Sequence, residues 1–318
     1  MALRSFADML ILEIPTLLWL ILLPLVFAVA FLFSLWYLPR VGSRSLTQMR
    51  RFDPVARDPS KAAQFDPAHH QLTVERAEVP TRAGHTLHTW VLTQPDAGPH
   101  IGTLILLHGM HLSKVAFLGH GRQFCQRGWR VVMPDLRAHG LSGGAHCTFG
   151  LEERYDLQDL IAWLERDFGI TEVALMGISL GGIVTLHTLP IAPQVKAAVV
   201  QSPYTSLWDE INFTLRQRLG LLSSAYMPRV RAEMLRQIKL DPKTVDLRKQ
   251  IALRSQPVLI IAGGADAEVP PAHARELYRL APKPCELWEV PSAGHNNIHK
   301  IAPDYFDRIT QFLRQSMA

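Results

Sequence analysis

Gly177-Ile178-Ser179-Leu180-Gly181 decides the reading of this chain. The pattern is G-x-S-x-G, set between an apolar run, Val173 to Met176, and a stretch from Ile183 to Leu189 that can continue as a helix. That placement suits a sharp strand-to-helix turn that lifts a serine hydroxyl to the end of a sheet. A side chain at either flanking glycine would collide with the turn or with neighbouring strands. A serine hydroxyl is a weak nucleophile until a base takes its proton, so the motif calls for a histidine and a carboxylate later in the chain.

Both follow in that order. Val258-Leu-Ile-Ile-Ala262 runs into Gly263-Gly264-Ala265-Asp266, which places a carboxylate just past a strand. Ionised, it would hold the base in one tautomer and stabilise its imidazolium form. Glu268 is close enough to compete, and a helix N-cap is the plainer role for Asp266; Asp266 is favoured. Glu286-Leu-Trp-Glu-Val290 reads as the last strand, with Pro291-Ser-Ala-Gly294-His295 as the loop leaving it. His295 is the expected base, since an imidazole can take the serine proton and return it to a leaving group. An oxyanion hole needs backbone N–H donors. Leu180, directly after the serine, is expected to supply one, and Met110, in the loop His108-Gly109-Met110-His111, the other. The pairs His295/His299 and His108/His111 each lack a third ligand, so neither metal nor cofactor is expected.

Around these motifs the pattern is one of short, nearly continuous apolar runs separated by helical stretches. The runs are Thr103–Leu107, Arg130–Pro134, Val173–Met176, Lys196–Val200, Pro257–Ala262 and Glu286–Val290. Strands buried on both faces read this way, which points to a parallel sheet with helices on each side. Before them, Glu78 to Leu92 alternates around a turn at Ala83-Gly84, as an antiparallel hairpin does. In such an architecture ligands bind at the carboxyl ends of the strands, where all the motifs fall.

Taken together, the chain resembles the α/β-hydrolase superfamily, in particular its membrane-anchored branch similar to lysophospholipases and monoacylglycerol lipases. The resemblance rests on His108-Gly109, Asp135-Leu-Arg-Ala-His-Gly-Leu-Ser142, Gly177-Ile-Ser-Leu-Gly-Gly182, Gly264-Ala-Asp266 with Val269-Pro270, and Gly294-His295-Asn296-Asn297. It runs from about Val79 to the C-terminus. It implies an eight-stranded, mostly parallel sheet and two-step acyl transfer through a serine ester. Ala138 stands where the family usually has glycine, read here as a packing position of little consequence. Asp135 and Arg137 read as structural. An aspartate nucleophile would indicate dehalogenases or epoxide hydrolases, and Ser179 argues against both.

The N-terminus adds a membrane. Ile14 to Leu38 is uncharged over 25 residues, against about 20 needed to cross a bilayer. Pro15 and Pro24 are tolerated in such a span, and Trp19 and Trp36-Tyr37 resemble interfacial anchors. Ala28-Val29-Ala30 fits a signal-peptidase site, but the apolar run continues past it and Asp8 and Glu13 spoil a basic leader, so a retained anchor is expected. Six basic residues between Arg40 and Lys61 face only Asp53 and Asp58. The positive-inside rule then puts the C-terminal domain in the cytoplasm, as a single-pass protein of the plasma or inner membrane.

Of the net charge of +5, residues 40–61 carry +4 and residues 1–39 carry −1, so residues 62–318 carry an ordinary +2 that calls for no nucleic-acid partner; the juxtamembrane arginines suit anionic lipid headgroups. Three scattered cysteines, Cys125, Cys147 and Cys285, imply no disulfide framework.

The expected organisation is an anchor over residues 1–39, a basic tether over 40–75, and an α/β-hydrolase domain over 76–318 carrying a helical cap at 204–256. In the cap, Trp208, Ile211, Leu215, Leu219 and Leu222 recur at helical spacing. They pack on the domain body in the plainer reading, or form a basic amphipathic lid at the membrane surface in the sharper one. The expected function is hydrolysis of carboxylic esters with lipid-like acyl groups. Thioesters and amides fall to the same triad, and a non-catalytic membrane scaffold is the alternative from another class. Acyl chain, head group and oligomeric state are not written in these motifs.

Overall fold

The computed structural model describes residues 16–48, 59–95 and 98–318, without the side chains of 16–21, 59 and 61. Its apolar runs form eight strands: β1 (Thr73–Pro80), β2 (Thr86–Thr93), β3 (Gly102–Leu107), β4 (Trp129–Pro134), β5 (Val173–Ile178), β6 (Val195–Gln201), β7 (Val258–Gly263) and β8 (Cys285–Val290). They make one sheet in the order β1-β2-β4-β3-β5-β6-β7-β8. β1 and β2 form the hairpin, β2 pairs antiparallel with β4, and every other pairing is parallel. β1 starts before the expected boundary at 76. Its charged Glu75, Arg76 and Glu78 lie on an exposed edge strand, where the apolar signal is weak.

Alternation along each strand divides the core into two layers. Ile105, Leu107, Leu175, Val200 and Ile260 face helices α3 (Glu153–Phe168), α4 (Leu180–Thr188) and α8 (Pro271–Leu280). Leu104, Leu106, Met176, Val199 and Ile261 face α2 (Leu118–Cys125) and α10 (Tyr305–Met317) on the other side. The chain leaves β3 toward α2 and β5 toward α4, so the connections part to opposite faces between two neighbouring strands. That parting opens a crevice at their carboxyl ends, the place where ligands bind in such sheets.

Between residues 204 and 256 lie three helices: α5 (Leu207–Leu219), α6 (Ser223–Ile238) and α7 (Leu247–Leu253). Asp209 and Glu210 in the first turn of α5 and Arg216 and Arg218 in its last complement the helix dipole. The apolar stripe splits between its two readings. Ile211 is buried and Trp208 and Leu215 pack on the core, whereas Leu222 is exposed.

The expected break after residue 39 is not present. α1 runs unbroken from Thr16 to Thr47, so the first part of the 40–75 tether is helix. Its end is fixed by packing: Leu35, Ser43 and Thr47 are buried, and the Thr47 carbonyl accepts the Cys147 N–H at 2.9 Å. Ser43 and Thr47 hydroxyls donate back to the Pro39 and Ser43 carbonyls. From Leu22 the helix is long and apolar enough to cross a membrane, with mean hydropathy 2.1. Pro15 and Arg50, Arg51 and Arg57 lie outside the described residues, as does the side chain of Trp19.

The loops after β3 and β4 are locked together by Lys114 and Asp135, both almost wholly buried, with Nζ 2.5 Å from Oδ2. Asp135 also accepts the Lys114 and Leu141 backbone N–H groups. Arg137 makes a two-pronged pair with Asp156. Ala138 has φ 61°, so a glycine there serves backbone conformation rather than packing; an alanine carries strain in that region. Replacing Lys114 by methionine strands a buried carboxylate and should cost about 3 kcal/mol. In detergent, the circular-dichroism melting midpoint should fall by roughly 6–12 °C.

Candidate active site

At the end of β5 the chain turns so sharply that two glycines are obligatory. A Cβ on Gly177 would sit 2.1 Å from the Gly181 carbonyl carbon, and one on Gly181 would sit 2.3 Å from the Leu107 oxygen. Between them Ser179 adopts φ 54° and ψ −117°, outside the regions open to ordinary residues. Its N–H is held by the Gln201 carbonyl at 2.9 Å, one strand away. Such strain persists only where the surroundings impose it, and it clusters at functional positions.

Asp266 leaves β7 and His295 follows β8, the neighbouring strand. Their side chains meet: His295 Nδ1 lies 2.7 Å from Asp266 Oδ2, with both residues buried. The other oxygen, Oδ1, accepts the backbone N–H groups of Glu268 and Val269 at 2.9 Å each. Asp266 therefore organises its own loop as well as the imidazole. Burial alone would raise its pKa, but the hydrogen bond from His295 and those from the backbone hold it below the ordinary carboxylate value. For His295 burial opposes the charged form, and the Asp266 carboxylate outweighs it, leaving the imidazole pKa above 6.5. Among the described residues, the side chain of Glu268, the competing carboxylate, hydrogen-bonds only Asn296, at 3.5 Å.

The loop after β3 comes against the serine, since a methyl group on Gly109 would stand 3.7 Å from Ser179 Cβ. Among the described residues, the N–H groups of Met110 and Leu180 make no hydrogen bond. Leu180 opens α4, whose first N–H groups have no partner within the helix. His108 braces this loop. One ring nitrogen meets the Gly109 carbonyl at 2.8 Å, and the other accepts the Leu136 N–H at 3.0 Å. Burial pushes its pKa down to about 3, so it stays neutral, with both nitrogens spent on the backbone.

Ser179, His295, Met110 and Glu268 line one cavity of about 540 Å3. Among the described residues the Ser179 hydroxyl makes no hydrogen bond; such contacts are often long without substrate. Sequence reasoning missed Glu210, which α5 brings into the same cavity. Burial pushes its pKa up to about 7, and its Oε2 has no hydrogen-bond partner among the described residues. Nothing in a lone glutamate on a cap helix signals this.

The fold and this arrangement define an α/β-hydrolase-fold protein. Residues 102–233 match the family model described as alpha/beta hydrolase fold. An uncharacterized protein of Mycobacterium tuberculosis is 28% identical over 283 residues, covering 85% of this chain and 89% of that protein. The sn-1-specific diacylglycerol lipase ABHD11 of Mus musculus is 26% identical over 262 residues, covering 69% of this chain and 83% of the relative. Among solved structures, the Pyrococcus furiosus esterase Pf2001 superposes with TM-score 0.66 and 23% identity, over 80% of this chain and 96% of the esterase. That likeness speaks to the fold.

Because a carboxylate holds the His295 pKa up against burial, removing its charge should reverse the sign. In an NMR titration, with His295→Gln used to assign the resonance, the imidazole should titrate above pH 6.5. In Asp266→Asn it should titrate at least one unit lower.

Proposed function

We propose that this chain is a membrane-anchored serine hydrolase that cleaves carboxylic esters of lipid-like acyl groups. The observation that carries the reading is the Asp266–His295 pair at 2.7 Å, whose imidazole lines one cavity with a serine held on a strained turn. His295 has Nδ1 engaged by Asp266, which leaves Nε2 to take the proton of Ser179. The Ser179 oxygen attacks the ester carbonyl, and the resulting oxyanion accepts the Met110 and Leu180 N–H groups. Collapse breaks the ester bond, and the alcohol leaves with the proton from His295. Water, deprotonated by the same imidazole, then frees the acid from Ser179.

The anchor is α1, with exposed Trp36 and Tyr37 near its emergence and the Arg40 guanidinium 4.4 Å from the Trp36 ring centroid. The basic residues after it favour a cytoplasmic catalytic domain. The lipid preference draws support from the apolar anchor and from the named activity of the mouse relative.

Full-length protein in detergent should hydrolyse p-nitrophenyl acyl esters and label with a fluorophosphonate probe. Ser179→Ala should abolish labelling and lower kcat by at least about 10^4-fold; full activity in that variant would remove Ser179 from the mechanism. Alkaline phosphatase fused to the C-terminus should be inactive in cells, and an active fusion would reverse the orientation.

A further inference from the structure

A second cavity, of about 560 Å3, adjoins the first. The two share Met110, His111, Tyr204 and Glu210, so they meet at the loop proposed to hold the oxyanion. The walls of the second are largely apolar and come from three helices. α5 gives Ile211 and Leu215, α6 gives Val230, and α1 gives Val41, Gly42 and Leu46.

The helices set the direction of this space. α1 and α6 lie side by side and point the same way. Near the start of α6, Tyr226 meets Ser34 at 2.6 Å and packs edge-on against Phe31. Near its end, Gln237 reaches the Arg40 carbonyl and Thr47. The exposed apolar stretch of α1 before Phe31, Leu23 to Val29, therefore extends toward and past the N-terminal end of α6. At that end the turn into α6 leaves Leu221 97% and Leu222 55% exposed. Two bare leucines are costly in water and are stabilised at a bilayer interface. α5 links this turn to the site: Leu207 lies at the catalytic end of the cavity and Leu219 at the other, roughly 18 Å along the helix.

We propose that this cavity is the acyl-chain subsite, that the anchor helix forms one of its walls, and that a lipid ester enters from the bilayer side between α1 and the cap. The inference rests on the hydrolase reading above and names its substrate class as esters of long hydrocarbon chains. The chain lies along α5 between Val41, Gly42 and Leu46 on one side and Ile211 and Leu215 on the other. The ester end reaches Met110 and Ser179. The anchor then shapes the substrate site as well as fixing the enzyme to the membrane.

Gly42 offers a test because a Cβ there meets nothing within 4 Å, so a larger side chain can occupy the cavity without striking the core. In full-length protein in detergent, Gly42→Phe should lower the ratio of kcat/KM for p-nitrophenyl palmitate over p-nitrophenyl butyrate at least tenfold. Arg44→Gln, at an exposed residue that lines neither cavity, should keep the wild-type ratio. An unchanged ratio in Gly42→Phe overturns the subsite. A second readout needs no turnover: photolysis of a diazirine-bearing palmitic acid with the Ser179→Ala protein, followed by peptide mapping. Label on residues 38–46 and 207–219, lost when Gly42→Phe is added, supports the subsite; label only elsewhere overturns it. Wild-type protein that cleaves neither ester yet labels those peptides would sink the hydrolase reading and leave the subsite standing.

Discussion

The backbone of Ser179, held at φ 54° and ψ −117° between two glycines, is the constraint around which the candidate site is arranged. A residue in such a region costs on the order of 1–3 kcal/mol. Three features impose it here. β5 sits between β3 and β6, the Gln201 carbonyl captures the Ser179 N–H, and α4 packs too closely on the strand ends for any Cβ at 177 or 181. A slip of β5 by one residue would send its buried side chains to the wrong faces, so register and serine position are set together. The other groups hang from strands on either side: the Met110 loop from β3, Asp266 from β7 and His295 from β8. Precision at the site is thus a property of the sheet, and the loops need only be short.

The apolar helix α1 is joined to that sheet through the cap. A tether after residue 39 would have left α1 free to move relative to the hydrolase-fold domain. Instead α1 stays helical to Thr47, buries Ser43 and Thr47, and bonds to both α6 and the loop at Cys147. A junction of this kind fixes the direction of α1 relative to the body, because rotation about α1 would break buried contacts. The exposed leucines at the α5–α6 turn and the arginines of the cap lie on the helices that this junction orients.

Legibility in the sequence followed the strength of local signals. The buried parallel strands were plain because both faces are apolar, and the elbow was plain because glycine is the only residue that fits there. The positions of Asp266 and His295 could be read from where strands end. Three features could not be. The edge strand β1 carries Glu75, Arg76 and Glu78 on its open side, so its first residues blend with a polar approach segment. The end of α1 is set by Gln237 and the Cys147 N–H, a hundred residues or more away, and nothing between Arg40 and Thr47 signals those contacts. Ala138 looked like a packing position because its positive φ depends on the turn of the Asp135–Ser142 loop, and a pattern of residue types does not carry a dihedral angle.

Glu210 illustrates a further limit and carries its own chemistry. It sits on α5 above the strand ends, so no motif spacing ties it to Ser179. Burial favours its neutral form, and nearby Asp266 and Glu268 push the same way. Its ionisation would in turn favour protonated His295, because opposite charges in a poorly hydrated cavity reinforce each other. Each group's charge therefore favours the charged form of the other. A protonated Glu210 removes a negative charge from the cavity and eases loss of the proton from His295, the form a base needs. Glu210 comes from the cap, so the cap bears on the protonation of a site otherwise built from the ends of β5, β7 and β8.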